Sequence, residues 1–214
     1  YRALTIPKVR ELCQRLDVEH VVVSFQEVAD LRLDDMVRHT DEREACTYCG
    51  VFRRRCLNLK AKELGVDALA LGHNLDDMAQ SILMNFMRGD VERLARLGPH
   101  ERIQPGLVPR IQPLRTIPEK ETFLYAMLTE LPFSDAECPY AVHALRNEYR
   151  KIVDDMEFKH PGTRHSILGS YDRLRPLMRD GFPQAILKEC ACGEPTLNER
   201  CMACEMMEKM RKGF

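Results

Sequence analysis

The sequence has no clear excess of charge of either sign and no long apolar run. Its 214 residues carry 32 basic and 33 acidic side chains, a formal net charge of −1. A nucleic-acid-binding surface would therefore have to be local, because the bulk charge does not attract a polyanion. No apolar stretch is long enough to cross a bilayer, and neither a signal peptide nor an internal repeat is recognisable, so the sequence indicates a cytoplasmic protein.

The cysteines are nine in number, and an odd count argues against a simple disulfide scaffold. Their close pairs are more typical of metal sites in a reducing compartment. Cys190 and Cys192, followed by Cys201 and Cys204, have the spacing of a small zinc ribbon or knuckle. Four thiolates leave no open coordination position, so this zinc site is expected to be structural, and it could also help to hold RNA.

Short apolar strands alternate with helical patterns in the first half of the chain, which predicts an α/β fold with a parallel sheet. We expect residues 1–115 to form this domain, 116–188 a helical region and 189–210 the zinc unit. A buried strand is expected at 17–25, where β-branched residues are dense. The remaining expected strands are 68–71 and 108–111, and the expected helices are 7–16, 31–37, from the first CxxC to 64, 75–87, 119–131, 141–157 and 166–177.

The segment Gly72-His73-Asn74 lies where a predicted strand ends and a helix begins, the edge at which open α/β sheets bind ligands. The free N–H groups of a helix start suit a phosphate, and the acidic Asp76 and Asp77 could hold Mg²⁺ against a nucleotide. The alternative is that Asn74 only caps the helix while the two acidic residues favour its dipole.

Cys46 and Cys49 form a CxxC at a helix start, and Cys138 precedes a proline much later in the chain. Three thiolates suit a soft metal or an iron–sulfur cluster with one iron left open. A zinc site with a fourth ligand elsewhere, or a redox CxxC unrelated to Cys138, are the alternatives. Arg53, one helical turn after Cys49, would place a cation beside the thiolates. The other arginines of the chain are equally consistent with a solvated surface.

Three motifs together resemble the tRNA 2-thiolation enzymes of the PP-loop ATPase superfamily, in the branch that modifies wobble uridine 34. They are Cys-Thr-Tyr-Cys-Gly-Val-Phe-Arg-Arg from Cys46, Gly-His-Asn-Leu-Asp-Asp-Met-Ala-Gln-Ser-Ile-Leu-Met-Asn-Phe-Met-Arg-Gly-Asp from Gly72, and Glu-Cys-Pro-Tyr-Ala around Cys138. The resemblance extends over nearly the whole chain, including the C-terminal Cys-Gly-Glu-Pro-Thr. It implies an adenine nucleotide alpha hydrolase-like domain, followed by a helical tRNA-binding region.

The resemblance also implies a mechanism in which ATP, with Mg²⁺, adenylates the C2 oxygen of the uridine and sulfide then displaces AMP. It places an oxygen-sensitive iron–sulfur cluster, expected as [4Fe-4S], on Cys46, Cys49 and Cys138. The Gly72-His73-Asn74 turn would contact ATP, and Asp77 and Arg53 match residues proposed to be catalytic. The implied partners are tRNA and a sulfur donor, either a thiocarboxylated ubiquitin-like protein or free sulfide. A homodimer is expected.

The family's Ser-Gly-Gly-x-Asp-Ser pyrophosphate loop and its N-terminal zinc segment do not occur in these 214 residues. Since the chain opens at Tyr1 rather than Met, we expect a truncated or partly ordered protein. These residues alone are predicted not to use ATP. Two alternatives therefore remain at this point: a non-catalytic, metal-stabilised tRNA-binding module, and another PP-loop modification of a tRNA base.

Overall fold

A computed structural model describes residues 2–99, 104–182 and 186–212. Helices make up most of the described chain, and short 3₁₀ helices cover Glu42–Glu44 and Pro139–His143. None of the described helices is both long and apolar enough to span a membrane. The remaining elements are α1 (Arg2–Arg15), α2 (Phe25–Ala29), α3 (Leu33–Arg38), α4 (Ala45–Glu63), β1 (Leu69–Ala70), α5 (Leu75–Met87), α6 (Val91–Arg96), β2 (Arg110–Ile111), α7 (Glu119–Leu128), α8 (Arg146–Lys159), α9 (Thr163–Gly181), β3 (Lys188–Glu189), β4 (Pro195–Thr196) and α10 (Met202–Lys212).

Two short strand pairs accompany the helices in the described residues. β1 and β2 are parallel, with Leu69 opposite Arg110 and Ala70 opposite Ile111. β3 and β4 form an antiparallel hairpin in the C-terminal unit. The parallel pair confirms the predicted strand–helix–strand order, since parallel neighbours need a crossover connection and α5 lies between them in the chain.

Helices α4 and α5 begin and end where local chemistry dictates. α4 stops just before Gly65, whose φ of +64° is readily adopted by glycine. At the start of α5, the Asn74 side chain accepts a hydrogen bond from the Asp77 backbone, and the Asp77 side chain accepts one from the Asn74 backbone. This reciprocal capping box satisfies two N–H groups that the helix itself leaves without partners.

Two hydrophobic clusters stabilise the described residues. The first contains Met36 of α3 and Phe52 of α4, both fully buried, together with Cys201 and Met206 of the C-terminal unit. The second joins α5, α6 and α9. Burial of a large apolar side chain contributes about 1.5–3 kcal/mol. The C-terminal unit is therefore held against α4 by a shared core, and the division of the chain into three domains stays a prediction.

The buried strand expected at 17–25 is wrong. Residues 18–24 form no strand and α2 begins at Phe25, while Val18, Val21 and Val22 are exposed. β-branched residues favour an extended backbone, but a strand also needs a neighbour for its N–H and C=O groups. None of the described strands pairs with this segment.

The sequence also predicts an apolar inner face for α7 and for α8; the first prediction is wrong and the second is confirmed only in part. In α7 no residue is buried, and Phe123 and Met127, expected to face inward, are 51% and 53% exposed. α8 starts at Arg146 rather than 141; of its predicted apolar face, Tyr149 and Val153 are buried, whereas Ile152 and Met156 are exposed. Apolar spacing marks one helix face, but which face is covered depends on distant neighbours. The proline-rich residues 89–115 are predicted from the sequence to form a long loop or a crossover, and the structure places helix α6 within them; residues 100–103 of this segment lie outside the described residues.

Candidate functional site

The first turn of α4 carries the CxxC. Cys46 is exposed and Cys49 is half-buried, and their spacing of three residues places both on one face of the helix. The helix start adds a partial positive charge there, which favours thiolates. This turn is therefore suited to presenting two sulfur ligands at the protein surface.

Cys138 lies at the N-cap of the 3₁₀ helix Pro139–His143, which contacts α4. The hydroxyl of Tyr140 donates a 2.6 Å hydrogen bond to Asp34 of α3, which anchors this segment. That bond, together with burial and the Asp34 charge, raises the pKa of Tyr140 to about 12. The long-range contact brings the third cysteine to the side of the CxxC.

The three thiols are close enough to influence one another. Burial raises the pKa of Cys46, and the charges of Cys49 and Cys138 raise it further, while those of Arg53 and Arg146 lower it. The guanidinium Nη2 of Arg53 donates to Cys49 Sγ at 2.9 Å. Thiols that repel one another as thiolates are suited to a bound cation, and the predicted Arg53–CxxC contact is present.

Arg146 links the start of α5 to the three cysteines. Arg146 Nη1 lies 3.6 Å from Asp77 Oδ1, and Nη2 donates to Ser81 Oγ at 3.0 Å. The charge of the same guanidinium lowers the pKa of Cys46. Arg146 thus joins the cysteine cluster to the Gly-His-Asn-Leu-Asp-Asp segment. From the sequence it was only one of several arginines after Cys138, because its contacts are long-range.

Asp76 has a structural position rather than a ligand-facing one. Its side chain is buried, with Oδ1 2.6 Å from Arg164 Nε and Oδ2 accepting a 2.7 Å bond from the Glu119 backbone. Both oxygens are thus engaged by α9 and the start of α7. The expectation that Asp76 holds Mg²⁺ is not supported by this arrangement, since neither oxygen is turned toward a ligand.

Gly72 and His73 lie exposed at the end of β1. A side chain built on Gly72 would meet no atom within 4 Å, so the turn faces open space that a ligand can occupy. His73 Nδ1 lies 3.4 Å from Gln112 Nε2, just after β2. Asn74 is the capping residue of α5, so the capping interpretation of this residue is confirmed.

The four C-terminal cysteines form a compact cluster, with all four sulfurs within 4.8 Å of one another. Backbone N–H groups of Cys192 and Cys201 lower the pKa of Cys190, which favours its thiolate form. Arg55 of α4 donates from Nη1 to Cys192 Sγ at 3.0 Å. Four thiolates at this separation fit a single tetrahedral ion about 2.3 Å from each sulfur, and Arg55 offsets part of their negative charge.

Within the described residues, only these four cysteines are gathered so tightly. Cys46, Cys49 and Cys138 are farther apart than a single zinc ion needs, although they remain within electrostatic reach of one another. The two sites therefore differ in kind. The C-terminal site suits one closed ion, and the site on α4 suits a larger group with fewer protein ligands.

Comparison with known proteins identifies the family. No family model matches the chain. The tRNA 2-thiolation protein NcsA of Haloferax volcanii is 39% identical over 98% of this chain and 69% of its own length. This chain belongs to the tRNA 2-thiolation protein family. Cytoplasmic tRNA 2-thiolation protein 1 of Xenopus laevis is 32% identical over 100% of this chain and 62% of its own, and a probable sulfurtransferase of Methanocaldococcus jannaschii is 31% identical over 99% and 63%.

A solved structure supports the same assignment for this tRNA 2-thiolation family member. The U34-tRNA thiolase NcsA from Methanococcus maripaludis, with its [4Fe-4S] cluster, matches at a TM-score of 0.74 and 40% identity. The match covers 82% of this chain and 58% of that one. The predicted fold class is confirmed. The chain spans about three fifths to two thirds of the length of these relatives.

Proposed function

We propose that this chain is part of an enzyme that replaces the C2 oxygen of uridine 34 in tRNA by sulfur, after ATP-dependent adenylation of that oxygen. The observation that carries the proposal is the packing of the 3₁₀ helix that follows Cys138 against α4, which brings Cys138 close enough for its charge and that of Cys49 to act on Cys46. These cysteines are 92 residues apart at the extremes, so folding has to bring them together. Family membership and the [4Fe-4S] cluster of the relative from Methanococcus maripaludis add support.

Cys46, Cys49 and Cys138 are the residues proposed to hold a [4Fe-4S] cluster. Their donor atoms are the thiolates that such clusters require, and their spread exceeds that of the compact C-terminal site. When bound by three thiolates, the cluster supplies one iron with an open position for sulfur. On the protein side, Arg53 donates to Cys49 and helps to keep this thiolate in place.

Arg53, Arg146 and Asp77 are proposed to act on the tRNA and nucleotide. Two guanidinium groups beside the thiols give a local positive field, which stabilises the negative charge of the adenylated uridine and its phosphate. Asp77 is oriented by the Asn74 backbone and by Arg146. Through Arg146 this carboxylate is linked to the side of the thiols, and its proposed role is to orient the reacting groups or to receive a proton from them.

ATP is proposed to bind at the Gly72-His73-Asn74 turn, at the carboxyl end of β1. Gly72 leaves open space there, and this sheet edge is the usual ligand position of open α/β folds. Mg²⁺ would enter with the nucleotide. Asp77 is better placed for it than the buried Asp76, because the Asp77 side chain is 32% exposed and its contacts with the Asn74 backbone and Arg146 are longer, at 3.3 and 3.6 Å. The C-terminal cysteines are proposed to bind Zn²⁺ as a structural ion.

The partners proposed for the complete enzyme are tRNA and a sulfur donor, either a thiocarboxylated ubiquitin-like protein or free sulfide. Relatives carry the description cytoplasmic in their names, and we propose the same compartment for this protein. A homodimer is proposed as well. Neither the donor nor the dimer determines the residues assigned to the site.

The test is anaerobic purification of the protein with its native N-terminus, followed by iron, sulfide and zinc analysis and by thiolation of tRNA with ATP and sulfide. Thiolated tRNA is retarded in a mercury-containing gel. We expect bound iron and ATP-dependent retardation. The matched control is Cys13→Ala, which removes a half-buried thiol of α1 outside the site. Binding of tRNA without thiolation would instead support a non-catalytic module, and a modified but unthiolated base another PP-loop reaction.

A further inference from the structure

A cavity of about 230 Å³ lies between α4, β2 and the C-terminal unit. Its polar lining consists mainly of Arg54, Arg55, Arg110 and Glu194, and Leu107 and Leu187 contribute apolar surface. The volume is below the range of about 300–1,000 Å³ typical of sites for drug-sized ligands. It suits one heterocyclic ring. None of the steps proposed for thiolation uses this cavity.

Two buried polar atoms of opposite character line the cavity without a hydrogen-bond partner among the described residues. They are Oε1 of Glu194, an acceptor, and Nε of Arg55, a donor. The residues are only 8% and 9% exposed. Buried polar atoms are nearly always paired, so an unpaired donor and acceptor at one cavity indicate a ligand that offers both functions.

Two further arginines, Arg54 and Arg110, line the cavity. Within the described residues neither arginine forms a hydrogen bond or an ion pair, and Glu194 acts on Arg110 only through its charge. Burial lowers the pKa of Arg110, and the charge of Arg54 lowers it further, while Glu194 alone opposes these effects. The pKa of Arg54 is lowered by burial and by the charges of Arg93 and Arg53. Cations that repel one another in this way favour a bound phosphate.

We propose that this cavity binds one unstacked nucleotide of an RNA strand, with its phosphate on Arg54 and Arg110 and its base edge between Arg55 and Glu194. Every nucleobase carries donors and acceptors on its edges, and unstacked bases of single-stranded RNA are read in this way. The apolar wall packs against the ring face. The site lies on the Arg55 side of α4, beside the four-cysteine cluster, and it requires neither the iron–sulfur cluster nor ATP.

Fluorescence anisotropy of a labelled, short single-stranded RNA tests the proposal on the full chain, with uridine monophosphate, ribose 5-phosphate and inorganic phosphate as competitors. We expect the RNA to bind and uridine monophosphate to compete at least tenfold better than ribose 5-phosphate, because only the former has a base. A single-stranded DNA of the same sequence distinguishes readout of the base and phosphate from readout of the ribose. Equal competition by uridine monophosphate and ribose 5-phosphate would overturn the base assignment.

Variants separate the two halves of the site. Arg110→Met should weaken the binding of RNA, uridine monophosphate and ribose 5-phosphate about tenfold, because it removes a charge-assisted contact to phosphate. Glu194→Gln should weaken the binding of uridine monophosphate, because a neutral amide oxygen accepts a weaker hydrogen bond than a carboxylate, and should leave the binding of ribose 5-phosphate unchanged. The matched control is Arg173→Met, which removes an exposed arginine of α9. The proposal is refuted if Arg110→Met weakens binding no more than Arg173→Met does. It is also refuted if Glu194→Gln binds uridine monophosphate as tightly as the parent protein.

Glu194 is close to two cysteines of the proposed zinc site. Zinc content and thermal unfolding are therefore measured in parallel, because they show whether the C-terminal unit is intact. If Glu194→Gln loses zinc, Glu194→Asp replaces it, since the shorter carboxylate keeps the charge and withdraws the acceptor from the cavity. The same selective loss of uridine monophosphate binding is expected. Thiolation can still be measured anaerobically if the cavity binds no nucleotide. The proposed thiolation activity and the proposed nucleotide site can therefore fail independently.

Discussion

Arg146 Nη1 lies 3.6 Å from Asp77 Oδ1, although the two residues are 69 positions apart in the chain. The same arginine donates to Ser81 and bears electrostatically on Cys46. It therefore connects the N-terminus of α5 to the three-cysteine cluster. If thiolation takes place between these elements, Arg146 positions Asp77 relative to the thiols.

Arg146→Met is expected to lower kcat for tRNA thiolation at least tenfold, because Asp77 loses its cationic partner and the site loses positive charge. Stability should change little, since both side chains are about one-third exposed and such pairs contribute about 0–1 kcal/mol. Steady-state thiolation kinetics and thermal unfolding measure the two effects. Arg146→Lys should restore part of kcat, and a rise in KM alone would contradict the positioning role.

The local parts of the fold were predictable from the sequence. The helix predicted at 75–87 has these bounds in the structure, because Asn74 caps it and its apolar residues recur with helical spacing. The helix that starts at the CxxC and ends before Gly65 was equally local. The spacing of the C-terminal cysteines also predicted their cluster, since ligands close in sequence need only a short hairpin to meet.

The parts that failed depend on distant residues. Residues 17–25 have strand-forming side chains, but no described strand pairs with them. Asp76 and Asp77 are adjacent in sequence, yet one is buried against Arg164 and the other lies beside Arg146. Successive helical residues point about 100° apart, so neighbours face different partners. Sequence spacing could not tell which of the two carboxylates belonged to the site.

Asp76→Asn is expected to destabilise the protein by about 1–3 kcal/mol, because the buried Arg164 loses its 2.6 Å partner and keeps only Asp154 and Glu157. Chemical denaturation measures the loss. The double variant Asp76→Leu/Arg164→Met should lose less stability than Asp76→Leu and Arg164→Met lose in sum, since each single substitution already breaks the ion pair. If the losses of unfolding free energy in Asp76→Leu and Arg164→Met add up to the loss in the double variant, the ion pair is not the source of the stability.

Glu157 makes stability depend on pH at the start of α9. Its partial burial raises its pKa, but hydrogen bonds from the backbones of Gly162 and Arg164, both 2.8 Å, and the charges of Arg164 and His165 lower it below its ordinary value overall. A depressed carboxyl pKa stabilises the fold above the unfolded-state pKa, and this contribution is lost as pH falls through the folded-state value.

Glu157→Gln should therefore reduce the difference in unfolding free energy between neutral and acidic pH. The variant should be less stable than the parent protein near pH 7 and approach it below about pH 4. Urea denaturation at a series of pH values measures the change. Glu148→Gln, an exposed residue of α8, is the matched control. Parallel stability curves for Glu157→Gln and the parent protein would show that the hydrogen bonds to Glu157 do not couple to pH.

The two cysteine sites should respond oppositely to single substitutions. Cys138→Ala removes one half-buried thiol at the start of a 3₁₀ helix, so iron and sulfide content and thiolation are expected to be lost while zinc content and helicity stay unchanged.

Cys190→Ala removes a buried sulfur from the compact cluster, where Cys201 N donates to it at 3.3 Å. Zinc should be lost, and because Cys190 and Cys201 belong to the core shared with α4, the unfolding transition should shift to lower temperature. Metal analysis and circular dichroism on anaerobically prepared protein separate the outcomes. Loss of zinc on Cys138→Ala, or retention of iron by it, would mean that the three cysteines do not form a site independent of the C-terminal one.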